Sequence, residues 1–349
     1  MTVITKVDLI PLNLTMRQPF VTAHGRKNVS RNLQVAVRLS DGTTGGGEAS
    51  ASLAWPDQNQ EAMRRALQQI APLLIGAEIR RFRSLSADAW QAIWKFHTAA
   101  AALECALLDA YTRSRRIPLW KWFGGRSRSV TTSLTISAWP ARAAGQAARR
   151  AAKQGFCHLK IKLTGKDRDA DLERVMAVHR AAPKAALWLD GNQGFTPRQA
   201  IGFCGEARKR SLPVELFEQP VPRGEWRSFR EIEREGKIPV AADESARSAA
   251  DARKLIRGRA ASVINVKLAK CGISGALETI RLARRANVRL MIGCMAESKM
   301  GISPSVALAC GSGAFNYVDL DSHLLTVSPP CRAGFSTRGD VLSIRPGNR

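Results

Sequence analysis

Residues 158–192 read HLKIKLTGKDRDADLERVMAVHRAAPKAALWLDGN. A short apolar run, His158–Leu163, is followed by a helix-like stretch, Asp167–Ala181, and then by a second apolar run, Ala186–Asn192. Strand, helix and strand in so short a span make a βαβ unit with its two strands parallel. The rhythm continues in both directions. Upstream lies Thr132–Ser137 (TSLTIS), and downstream come Val214–Pro220 (VELFEQP) and Ile238–Glu244 (IPVAADE). Ser262–Leu268 (SVINVKL), Val288–Met295 (VRLMIGCM) and Phe315–Asp321 (FNYVDLD) complete the series. Ala141–Gln154, Pro197–Lys209, Ala249–Arg257 and Gly275–Ala286 read as intervening helices, and Glu225–Glu235 is the shortest of them. Eight such units, strands roughly 24 to 30 residues apart, predict a closed barrel.

The first part of the chain has a different pattern. Val3–Leu14 and Asn32–Leu39 alternate like strands, and Asp41-Gly42 is a hairpin turn leading to Gly45-Gly46-Gly47-Glu48. Pro19–Arg31 is polar and without periodicity, and so is expected to be a loop. From Asp57 to about Arg115 the spacing turns helical, and Pro118 and Gly124-Gly125 close that region. The expected fold class is α/β: a (β/α)8-type barrel over residues 126–325 with an N-terminal α+β capping domain over 1–125. A last strand candidate, Asp340–Arg345, is expected to return the segment 326–349 to the capping domain.

Composition narrows the class. The 349 residues are 45% hydrophobic and 24% charged, which excludes a wholly disordered chain. No apolar run reaches the ~18 residues of a membrane span. Lys6 and Asp8 interrupt the first ten residues, so no signal peptide is expected. Seven scattered cysteines without a C-x-x-C pair argue against a zinc cluster and a disulfide framework, and for a cytoplasmic location. The net charge of +25 comes mostly from 39 arginines, spread through helix-like stretches such as Arg64-Arg65 and Arg149-Arg150. With no basic tail and no nucleic-acid motif, these read as solvated helix faces. Neither nucleic acid nor membrane is an expected partner, and a homo-oligomer is left open. A basic nucleic-acid-binding protein on an inactive barrel is the alternative from another class.

In a barrel of this kind the chemistry sits at the carboxyl ends of the strands. The second strand ends in Lys160-Ile161-Lys162, whose lysines share one side. Burial and like charge are expected to push such a lysine toward the neutral amine. Strands three, four and five end in Asp190, Glu218 and Asp243, at intervals of 28 and 25 residues. Three converging carboxylates repel one another without a cation, and an all-oxygen set favours Mg2+ first and Mn2+ second. Lys267 ends strand six, facing Lys162 across that point. Asp319 and Asp321 form a same-side pair on strand eight, with helix capping or a loop turn as the alternative to a binding role.

This constellation resembles the enolase superfamily, in its muconate-lactonizing subgroup. GGGEAS (Gly45–Ser50), AALECALLDA (Ala101–Ala110) and PLWKWFGG carry the resemblance in the first domain. KIK, LDGNQG, FEQP, ADES and NVKLAKCGI carry it in the barrel. Within the subgroup, the Asp-x-Asp of strand eight and GCMAES look like the dipeptide epimerases. The resemblance implies a Mg2+-dependent epimerase that inverts the C-terminal residue of a dipeptide by two-base proton transfer through an enediolate. It assigns the metal to Asp190, Glu218 and Asp243, and the two bases to Lys162 and Lys267. Lys160 would lower the pKa of Lys162 and help hold the substrate carboxylate, with Asn192 and Glu244 supporting the ligands. Asp319 and Asp321 would bind the substrate ammonium. The region of His24, Arg26, Lys27 and Arg31 corresponds to a specificity lid. Its basic character, with Arg26 as the candidate contact, points to an acidic side chain as in Ala-Glu, against the plainer reading of a solvated loop. The nearest rivals are N-acylamino acid racemase, o-succinylbenzoate synthase and muconate cycloisomerase. The mandelate-racemase His-Asp pair is missing, since Lys267 stands on strand six and Val288–Ser298 has no histidine. His158 is expected to pack inside the barrel, Cys294 to be a small buried group and His323 to line the pocket.

Overall fold

The computed structural model describes residues 1–329 and 333–345; parts of the expected C-terminal segment, 330–332 and 346–349, lie outside the described residues. Eight parallel strands follow one another around a ring: Leu134–Ile136, His158–Lys162, Ala186–Asp190, Val214–Glu218, Val240–Ala242, Val263–Val266, Arg289–Gly293 and Tyr317–Asp319. The ring closes where Ser133 N–H donates to Val318 O at 2.9 Å. Each strand lies within one of the eight runs read from the sequence.

Alternation along these strands builds the interior in layers. Trp188, Leu216, Ala241, Val263 and Met291 form a buried apolar layer with Tyr317 packed against it. His158 belongs to this depth, its ring 5.2 Å from that of Trp188. Two residues further along the same strands come Asp190, Glu218, Asp243, Asn265, Gly293 and Asp319. The polar layer therefore sits directly on an apolar floor, at the carboxyl ends.

The helices match the sequence spacing, with two differences. The unit after strand four has a 3-10 turn, Arg223–Ser228, leading into Phe229–Gly236. The helix expected from Gly275 begins at Leu268, immediately after Lys267, and breaks at Gly272 (φ 63°). Past the break, Ile273 and Ser274 N–H donate to Glu104 of the capping helix His97–Ser114, at 3.0 and 2.9 Å. A carboxylate there satisfies orphan amides and opposes the helix dipole.

Two expectations about the capping region are corrected. Pro19–Arg31 is no loop: Ile4–Thr22 and Gly25–Leu39 are two arms of one long hairpin, paired to Thr22↔Gly25, with an irregularity between Thr15 and Phe20. Its tip stands apart from the apolar sheet core, so it carries no apolar alternation to read. Nor does Asp340–Arg345 join the capping sheet. Val341–Ile344 pairs with Ser129–Thr131 and Phe335–Arg338, and it is Thr326–Val327 that adds to the capping sheet, against Thr15 and Met16. The GGG run has a packing cause. A Cβ on Gly45 would run into the backbone of Ala110 and Ala106, and one on Gly47 into that of Ala102, so strand and helix meet backbone to backbone. Among the described residues no helix is long and apolar enough to cross a membrane.

Candidate active site

A cavity opens between the barrel mouth and the capping hairpin. Its floor is ionic. Lys160, from strand two, is fully buried and reaches Glu218 at 2.6 Å, Asp319 at 2.7 Å and Asp190 at 3.0 Å. Lys162, two residues further up, stands 2.6 Å from Asp190 Oδ2. Across the ring, Lys267 donates to Asp243 Oδ2 at 2.6 Å. Lys270, in the first turn of the helix after strand six, donates to Asp243 Oδ1 at 2.5 Å and to the Asp243 and Asn265 carbonyls at 2.8 Å. Spacing along the sequence gave no sign of this fourth lysine, because it reaches the site from a helix and not from a strand. Asn265, also unforeseen, donates to Glu218 Oε1 at 2.9 Å.

Lys160 and Lys267 are both held as ammonium groups. Burial alone would depress Lys160, but the charges of Asp319, Glu218 and Asp190 outweigh it and hold the ammonium well above the ordinary lysine range. Lys267 is likewise raised against its burial, by Asp243 and Glu218. Lys160 is thus the charged hub of the floor, surrounded by carboxylates.

The acids divide. Asp190 and Asp243 are lowered despite burial, by Lys162 and Lys160 in one case and by Lys267 and Lys270 in the other. Glu218 is pushed up to about 7, first by burial and then by Asp190. Asp321 is also pushed up to about 7, by burial and by Asp319. Ser133 Oγ donates to Asp319 Oδ1 at 2.9 Å, and Thr135 N–H to Asp321 Oδ2 at 2.6 Å. Asn192 donates to Glu244 at 3.4 Å, and His24 of the hairpin tip stands 3.4 Å from the same oxygen.

Six buried carboxyl groups (Asp190, Glu218, Asp243, Glu244, Asp319 and Asp321) thus face four buried ammonium groups (Lys160, Lys162, Lys267 and Lys270). Glu244 Oε2 and Asn192 Oδ1 are buried oxygens without a hydrogen-bond partner. Among the described residues no three acidic, imidazole or thiol side chains stand at ion-holding spacing, because the ammonium groups lie between the carboxylates. The all-oxygen donors of Asp190, Glu218 and Asp243 nevertheless fit a hard divalent cation.

Two other placements differ from expectation. Arg26 is exposed and bonds to Asn28 at 3.4 Å; in the hairpin, alternation turns Lys27 and not Arg26 to the cavity. His323 bonds to Thr337 at 2.8 Å and packs edge-on to Phe335, away from the cavity. Cys294 is half-buried on the cavity wall.

Residues 4–124 match the N-terminal domain model of the mandelate racemase / muconate lactonizing enzymes, and residues 142–333 match the enolase C-terminal domain-like model. The aromatic dipeptide epimerase of Herpetosiphon aurantiacus is 38% identical, across 98% of this chain and 96% of that protein. The L-Ala-D/L-Glu epimerase of Thermotoga maritima is 30% identical, across 98% and 99%. The dipeptide epimerase of Enterococcus faecalis, solved with Mg and the dipeptide L-Leu-L-Tyr, superposes with a TM-score of 0.92 at 28% identity, covering 98% of this chain and 97% of that one.

Proposed function

Since the chain belongs to the enolase superfamily, in its mandelate racemase/muconate lactonizing enzyme family, we propose that its barrel mouth performs Mg2+-dependent epimerisation of a dipeptide. The observation that carries the reading is the placement of Lys162 and Lys267. They rise from strands two and six, on opposite sides of one carboxylate cluster, and line the same cavity as Asp319 and Asp321. A single base removes a proton and returns it to the same face. Two bases on opposite faces allow inversion.

Asp190, Glu218 and Asp243 would hold Mg2+, with Asn192 and Glu244 behind them. When bound, the ion supplies the positive charge that engages the substrate carboxylate and makes its α-proton acidic enough for an amine. Lys162 takes or returns that proton on one face and Lys267 on the other. For either amine to act as a base it must be released from its carboxylate partner. Lys160 stays charged and anchors the floor. Asp319 and Asp321, a buried pair at one wall, receive the substrate ammonium. Burial and mutual repulsion lift Asp321, and a bound cation relieves both. An N-acylated amino acid or a cyclohexadiene acid has no such cation, which ranks the racemase, synthase and cycloisomerase readings lower.

The direct test is incubation of dipeptide pools in deuterated water with mass spectrometry. Uptake of one deuterium at the C-terminal α-carbon, with inversion, is expected. If only N-acylamino acids exchange, the dipeptide reading fails.

A further inference from the structure

The cavity has two walls of different character. Asp319 ends strand eight and Asp321 follows it, whereas Phe20, Leu53 and Trp55 line the same cavity from the capping region. Phe20 lies over Lys162, whose ammonium is 5.8 Å from the ring centroid. Trp55 stands over the loop that follows strand five and is held from several directions. The Arg247 guanidinium carbon lies 5.1 Å from its ring centroid, and the His97 ring meets it edge-on at 4.7 Å and 81°. Arg247 also donates to His97 Nδ1 at 3.2 Å. Gln58 donates to the same nitrogen at 2.6 Å, and its carbonyl oxygen accepts from Thr98 N–H at 3.2 Å. Two donors on one nitrogen fix His97 as the neutral tautomer with its proton on Nε2. Backbone bonds from Trp55 N–H to Ser52 O and from Gln58 N–H to Trp55 O fix the turn itself, at 3.3 and 3.0 Å. Such a network, joining the loop at Trp55, the helix at His97 and the barrel at Arg247, is more than is needed to bury one half-exposed indole. Its effect is to hold in one orientation an indole that lines the cavity.

On the dipeptide epimerase reading, the substrate carboxylate goes to the acid cluster, the ammonium to strand eight and the α-carbon between Lys162 and Lys267. The remaining substituent, the side chain of the residue being inverted, then projects toward the capping wall. The basic groups of the hairpin are already engaged there. Lys27 donates to Ala51 O at 2.8 Å and Ser30 Oγ at 3.3 Å, His24 faces Glu244, and Arg26 is outside. We propose that Trp55, with Arg247 and His97 as its positioning residues, is the specificity wall for that side chain, and that the subsite takes a large apolar or aromatic group in preference to a carboxylate. This differs from the acidic preference expected from the basic lid.

The test compares kcat/KM for L-Ala-L-Phe, L-Ala-L-Leu and L-Ala-L-Glu in the Mg2+-loaded enzyme. Phe and Leu are expected to exceed Glu by about tenfold or more, the scale of burying one apolar side chain. A Glu peptide turned over as well as the Phe peptide overturns the subsite. If none of the three exchanges its α-proton, the epimerase reading fails and the subsite with it. Trp55→Ala should bring the Phe-to-Glu ratio toward one, chiefly through KM for the Phe peptide. Trp55→Leu, which keeps apolar packing without a flat ring, should move the preference from Phe toward Leu. Arg247→Leu should lower the Phe-to-Glu ratio and Arg247→Lys, which keeps a cation over the ring, should retain it. Wild-type ratios in both Trp55 variants would reduce Trp55 to a packing residue and sink the proposal.

Discussion

Lys162 and Lys267 reach the carboxylate cluster from strands four places apart in an eight-strand ring, and each rests 2.6 Å from a different aspartate, Asp190 and Asp243. The symmetry has a kinetic consequence. Lys162→Ala should abolish α-proton exchange of one epimer and Lys267→Ala that of the other, with net inversion lost in both. Deuterium uptake from each epimer checks this. Unchanged epimerisation by Lys267→Ala would falsify the two-base assignment.

The assignment of Mg2+ to Asp190, Glu218 and Asp243 predicts that turnover depends on a divalent cation. Exhaustive chelation should abolish turnover and Mg2+ should restore it. Calorimetric titration of the chelated protein should show binding that Asp243→Asn weakens. Full activity after chelation would remove the metal role from Asp190, Glu218 and Asp243.

Asp321, one of two adjacent buried acids, predicts discrimination at the amino end. The free dipeptide should exceed its N-acetyl form in kcat/KM by a large factor, because the acetylated substrate leaves the acid pair uncompensated at a cost of about a few kcal/mol. Asp321→Asn should lose most of this ratio while still binding Mg2+. A ratio near one in the parent protein would point to an acylamino acid racemase instead.

His97 carries a pH signature. Burial, and then the charge of Arg247, lower its pKa to about 3. In the unfolded chain a histidine titrates near its ordinary value of about 6.5. Above that pH it is neutral in both states. As pH falls from about 6.5 toward 3, only the unfolded chain takes up the proton, so stability drops by an amount on the order of a few kcal/mol. Urea unfolding at pH 7 and pH 4 should show a smaller loss for His97→Gln than for the parent. Equal losses in the two proteins would mean that His97 titrates normally.

Much of this was legible in the sequence, for a physical reason. Parallel strands buried on both faces read as apolar runs at regular intervals, and a polar residue at the end of such a run has few places to go but the barrel mouth. Asp190, Glu218, Asp243, Lys162 and Lys267 were found in that way. Groups that arrive from other elements were not. Lys270 comes from a helix turn, and Trp55 from a loop fixed by Arg247, some 190 residues away in the sequence. The hairpin tip was missed because neither of its faces belongs to the apolar core. Arg26 was misplaced for the related reason that a shift of one residue in a strand exchanges inside and outside.

The contact between Glu104 and the amides of Ile273 and Ser274 bears on how the molecule comes apart. Glu104 is buried, and Trp90 holds one of its oxygens at 2.9 Å. Its carboxylate completes a helix that belongs to the other region of the chain. Detaching the capping region would break both of these hydrogen bonds and uncover the buried Ile273 and Glu104. The two regions therefore melt together. Calorimetry should record one transition for the whole chain, and the barrel half produced alone should lack a sharp one, because its cooperativity resides partly in residues at the far end of the polypeptide.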